Sequence, residues 1–114
     1  MDKSLRRQVV RDFKERKVLR GVFAVRCIPT GEVWVSASRN LDQQQNAIWF
    51  GLKNGGYINR AVQAAWTAHG EAAFAFEVLE TFDDEAMGDL ARADLSKARA
   101  AHWRDKLGAA KLVG

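Results

Sequence analysis

Proton transfer at neutral pH calls for a histidine, cysteine, tyrosine or tuned carboxylate, and the sequence is sparing with the first three: one Cys, one Tyr and two His in 114 residues. Cys27 has neither a CxxC spacing nor a Cys/His cluster that would suggest zinc, and no neighbouring His or Asp to activate it as a nucleophile. It is expected to be a small buried strand residue. Glu77 and Glu80, three apart on an expected strand, fall on opposite faces by the alternation of strand side chains, so a shared metal is not expected. Asp83, Asp84 and Glu85 read as the acidic first turn of a helix. His69 precedes Gly70 at a helix end, where packing and the helix dipole account for it, and His102 beside Trp103 reads as a surface or interface residue. What remains is the hairpin stretch GVFAVRCIPTGEVWVS, residues 21–36, with one aromatic ring, Phe23 and Trp34, in each arm.

Positive charge is the one chemical property present in excess. Residues 1–20 hold eight Lys/Arg against three acids, a net +5, whereas the other 94 residues hold ten basic and eleven acidic groups, a net −1. Arg6, Arg7, Arg11 and Lys14 are therefore the first candidates for phosphate contact, assisted by Arg39, Lys53 and Arg60 from the rest of the surface. The plainer reading is a solvated amphipathic helix that docks Leu5, Val9 and Phe13 on the core. The two readings are compatible, and nucleic acid, DNA in particular, is the expected partner.

These side chains need a scaffold, and its elements are legible. SLRRQVVRDFKERK reads as a basic helix capped by Ser4, followed by the β-hairpin. Ser38 or Asn40 can cap a helix over LDQQQNAIWFGLKN, with Leu41, Ile48 and Leu52 on one face and Gly55-Gly56 as its stop. A further helix, NRAVQAAWTAH, carries Val62, Ala65, Trp66 and His69 at helical spacing. FAFEVLE alternates as a strand, with Phe74, Phe76 and Val78 on one face, and a last helix from about Asp84 to Leu107 points Leu90, Leu95 and Trp103 at the core. The order predicts an α+β domain: a small three-stranded, largely antiparallel sheet flanked by helices over 21–114, with an extra basic N-terminal helix over 1–20.

Size permits one core and no more. With 47% hydrophobic and 28% charged residues, the chain is expected to fold as a soluble protein. No run of 18 apolar residues occurs and the start, MDKSLRRQVV, has no apolar stretch like a signal peptide's, so a cytoplasmic location without membrane contact is expected.

Taken in order, GVF, VWVS, SASRNLDQQQ, the V-Q-x-x-W-x-x-H-G of residues 62–70, F-x-F-E-V-L-E and W-x-x-K-L-G resemble the GIY-YIG nuclease domain over roughly residues 21 to 109. The resemblance implies a DNA-cutting fold in which tyrosines, an arginine and a metal-binding glutamate surround the scissile phosphate. A phenol relays a proton, the guanidinium neutralises charge on the phosphoryl oxygens, and the carboxylate holds one divalent cation.

Each of those positions is altered here. The two tyrosines fall on Phe23 and Trp34, the closing glycine on Ser36, the arginine on Gln44, a histidine of many members on Ile48, and the metal-binding glutamate on Ala100. Tyr57 falls near a further histidine of some members; it is expected to pack on the sheet's edge, with a surviving active-site role as the alternative. The resemblance thus implies a pocket of Phe23, Trp34, Ser36, Gln44, Tyr57 and Ala100 with no catalytic residue, no metal site and no cofactor. Losing the phenols, the guanidinium and the carboxylate together, at a factor of about 10² or more each, makes cleavage by this chemistry negligible. The expected function is nucleic-acid binding without cleavage. The alternatives are a protein-interaction or regulatory module, including a homo-oligomer built on Trp49-Phe50 and the last helix, and an endonuclease with relocated groups that uses a divalent cation such as Mg²⁺.

Overall fold

β-Branched residues on either side of Pro29-Thr30-Gly31 close a hairpin: β1, Arg20–Cys27, and β2, Glu32–Ser38, pair antiparallel with Val25 opposite Trp34 and Phe23 opposite Ser36. The Gly31 N–H donates to the Cys27 carbonyl at 2.9 Å across the turn. The computed structural model describes residues 19–82 and 87–112, so the basic segment over residues 1–18, with Arg6, Arg7, Arg11 and Lys14, lies outside the described residues. Asp83, Asp84 and Glu85 lie outside them as well.

Helix α1, Leu41–Lys53, buries Leu41, Ile48 and Leu52 along one stripe. Its N-terminus is organised by Ser38, whose Oγ accepts from the Asn40 N–H at 3.0 Å and donates to Gln44 Oε1 at 2.8 Å. Helix α2, Arg60–His69, is capped by Asn59, whose side-chain oxygen accepts from the backbone N–H groups of Ala61 and Val62. The same Asn59 donates through Nδ2 to the Leu112 carbonyl at 2.8 Å, which fastens the last described residues to this corner. A short 3₁₀ turn, Glu71–Ala73, leads into β3, Phe74–Phe82, and helix α3, Asp89–Leu107, follows.

Among the described residues the sheet has four strands in the order β3-β1-β2-β4, where β4 is Ala110–Lys111 and pairs parallel with β2. This is one strand more than the sequence pattern suggests. A two-residue strand has no periodicity to display and forms because Leu112, 1% exposed, is anchored in the core beside it.

Two apolar layers result. On one face of the sheet, Phe23, Val25, Cys27, Trp34 and Phe74 pack under α1 and α2; on the other, Val22, Ala24 and Val35 pack under α3 with Ala100. Gly21 is required by close approach. A Cβ there would overlap the Glu80 carbonyl oxygen of β3 and press on Leu41.

Two local expectations change. The β1–β3 register slips between Val22 and Phe23, so Glu80 faces Val22, Val78 faces Phe23, and Leu79 is the inserted residue of a bulge. The bulge brings Glu77 and Glu80 to the same face, opposite Ala24 and Val22, where strict alternation separates them. Leu90 is 78% exposed rather than core-facing, because α3 starts at Asp89 and its first turn overhangs the sheet. No described helix is long and apolar enough to cross a membrane.

Candidate functional site

Phe23, Trp34 and Ser36 stand on the α1/α2 face of the sheet, where the strand register aligns them. Their environment is apolar and closed. Phe23 is 1% exposed and stacks on Phe76 at 5.2 Å between ring centroids, and Trp34 is 3% exposed and stacks on Phe74 at 6.4 Å. Trp49 stands edge-on to Trp66, Phe74 and Phe76, and Ile48 is buried in the same cluster. Offset and edge-on ring pairs of this kind contribute about 0.5–1.5 kcal/mol each beyond the area they bury. The rings fill the layer between the sheet and the two helices.

Few polar groups near this face are available to a ligand. Gln44 holds the Ser38 hydroxyl at the mouth of α1, and the Trp34 indole N–H has no acceptor among the described residues. Tyr57 lies against Gly51 of α1, where a Cβ would come within 3.0 Å of its ring, and burial raises the phenol's pKa above its ordinary value. It stays protonated at neutral pH and is no base.

Ala100 is on the other side of the sheet. It is 4% exposed and belongs to the layer of Val22, Ala24 and Val35 under α3. The structure therefore gathers Phe23, Trp34 and Ser36 in one layer, seats Gln44 and Tyr57 at its margin, and separates Ala100 from all of them by the sheet. Among the described residues no three His, Cys, Asp or Glu side chains are grouped to hold a cation, and the position that the family pattern gives to the metal-binding glutamate is a buried alanine with no donor atom, so the residues there do not fit the divalent metal.

The described basic candidates do not form one patch. Arg39 precedes α1 and Lys53 ends it, so thirteen residues of helix, about 20 Å, separate them. Lys53 is paired with Glu71 at 3.1 Å, and Arg60 begins α2.

An ionic centre that strict strand alternation hides joins the sheet to α3. The bulge at Leu79 turns Glu80 toward α3, where Oε1 accepts from the Trp103 indole N–H and from Arg99 Nε, both at 2.8 Å. Lys106 Nζ lies 4.9 Å above the Trp103 ring and extends the array. The indole donor first, and then the guanidinium, holds the Glu80 carboxyl below the ordinary carboxylate range. A carboxyl lowered by folding stabilises the fold above its unfolded pKa, about 4.3, and that contribution disappears as the pH falls through the folded value. Glu80→Ala is expected to cost about 1–2 kcal/mol at pH 7. In urea titrations the gap from wild type narrows below about pH 4.3; a gap independent of pH assigns the loss to packing instead.

No family model matches the sequence, and no curated protein matches it. Solved structures do. An alanine-substituted form of the catalytic domain of the intron endonuclease I-TevI superposes with a TM-score of 0.67 at 20% identity, over 80% of this chain and 86% of that one. The catalytic domain of the homing endonuclease I-TevI superposes with a TM-score of 0.66 at 18% identity, over 78% and 88%. That domain is a GIY-YIG nuclease, and the hairpin, the two helices over one face, the third strand and the long last helix of this chain form the same GIY-YIG-like fold.

Proposed function

We propose that this domain binds nucleic acid, DNA in the first instance, and does not cleave it by the chemistry of the GIY-YIG nucleases. The observation that carries the reading is the burial of Phe23 and Trp34, 1% and 3% exposed, at the two positions that the family pattern gives to tyrosines. Neither ring reaches a phosphate, and neither bears a group that relays a proton at neutral pH. Binding is supported by likeness to an endonuclease catalytic domain and by the +5 charge of residues 1–20, which continue directly into β1.

Salt dependence tests the binding half. Affinity of the full chain for a duplex is expected to fall linearly in a plot of log K against log salt, with a slope of about 0.9 for each phosphate neutralised. Replacing Arg6, Arg7, Arg11 and Lys14 together by Gln flattens that slope by about 0.9 for each one that touches a phosphate. Binding that ignores salt, or none at low salt, contradicts the reading.

A protein-interaction role is favoured by one observation, the exposure of Phe50 and Ile58 at 69% and 76%. Trp49 turns inward at the same place and contributes little to such a surface. Sedimentation velocity over a range of concentrations separates the readings, since a strict monomer argues against a self-association surface.

A further inference from the structure

A cleft of about 420 Å³ lies at the end of the sheet, between the start of β1, the end of β2 and the first two turns of α3. Arg20 and Arg39 form one wall and Arg92 the other; the small side chains of Ala37 and Ala93 leave the space between them open. Among the described lining residues, three guanidinium groups share the cavity with the carboxylate of Asp89, which is fully exposed and lies 3.9 Å from Arg92, so Arg20 and Arg39 are the groups that matter for an anion. Neither Arg20 nor Arg39 forms an ion pair or a side-chain hydrogen bond with another described residue. Like charges gathered round one cavity repel, and an anion between them removes that cost.

The chemistry of the lining narrows the anion. Guanidinium forks match phosphate oxygens in pairs, and the first turn of α3 directs the positive end of its dipole into the same space. Among the described lining residues there is no aromatic or large aliphatic side chain on which a nucleobase could stack. In sequence, the +5 segment of residues 1–20 ends at Arg20, which lines the cleft.

We propose that this cleft binds a backbone phosphate of nucleic acid, held by Arg20 and Arg39 with Arg92 opposite. It rests on the nucleic-acid binding proposed above and gives that binding a seat on the folded domain. Contact of this kind is independent of base sequence.

The test compares two full-length double variants of equal charge change, Arg20→Gln/Arg39→Gln in the cleft and Lys97→Gln/Lys111→Gln away from it. Anisotropy of a labelled duplex of about 20 base pairs is followed from about 50 to 200 mM KCl, with circular dichroism melts to establish folding. The cleft variant is expected to lower the log–log slope by about 1.8 and to weaken binding at least about tenfold at the low-salt end, while the control stays within about twofold of wild type. Equal losses in the two variants overturn the cleft and leave nucleic-acid binding standing. A wild type that does not bind the duplex overturns both. If the duplex fails while inorganic phosphate raises the melting temperature of wild type and not of the cleft variant, the site takes a small phosphate and the backbone assignment is wrong. Should the double variant melt early, Arg39→Glu, on the exposed bend before α1, is expected to give the same loss of slope; wild-type binding by that variant overturns the proposal.

Discussion

Ala100→Glu is expected to destabilise the domain by about 3–5 kcal/mol, the cost of an uncompensated buried charge. The substitution writes back the residue that the family pattern places there, which makes the result informative. Ala100 is 4% exposed and faces Val22, Ala24 and Val35 beneath α3, so a carboxylate there has no water and no cation to turn to. Against a total stability of about 5–15 kcal/mol, such a loss leaves the fold marginal or unfolded. Ala101→Glu, one residue on and exposed, is expected to stay within about 0.5 kcal/mol of wild type. Urea unfolding followed by circular dichroism reads both. A stable Ala100→Glu variant that binds Mn²⁺ would show that α3 can present this position to solvent.

Phe23→Ala is expected to cost about 3–5 kcal/mol, in the range for truncating a fully enclosed aromatic. The ring is 1% exposed, stacks on Phe76 and belongs to the cluster closed by Trp34, Ile48 and Trp66, so its removal leaves a cavity that neighbouring rings cannot collapse into without losing their own contacts. Phe23→Tyr separates packing from chemistry. The added hydroxyl enters an apolar layer, and leaving it unsatisfied costs about 1–3 kcal/mol. Chemical denaturation gives both values, and a Phe23→Tyr variant as stable as wild type would mean that this face opens to water.

The elements of the scaffold were legible because their signals are local. Leu41, Ile48 and Leu52 recur at helical spacing, Asn59 is a strong cap, and the β-branched arms of the hairpin flank an obvious turn. The ordered motifs led to the fold for the same reason. What stayed hidden depends on pairing between distant segments. The bulge at Leu79 is a property of β3 against β1, and it overturns the alternation that put Glu77 and Glu80 on opposite faces. Likewise the two-residue β4 exists through its parallel pairing with β2. The motif also groups Ala100 with Phe23 and Trp34, although a strand layer lies between them; spacing along one helix says nothing about which face of a sheet that helix covers. The arginine cleft draws its walls from residues 20, 37–39 and 89–96 and has no signature in any one of them.

The proposed function joins a GIY-YIG-like fold, in which the positions of the family's tyrosines are packed shut, to nucleic-acid binding. Incubating the full chain with supercoiled plasmid at low salt, with Mg²⁺ or Mn²⁺, and resolving the products with and without removal of the protein reads both halves at once. The account predicts a retarded plasmid that returns to its original supercoiled mobility once the protein is stripped away. Relaxed or linear plasmid that appears only with the divalent ion would contradict it.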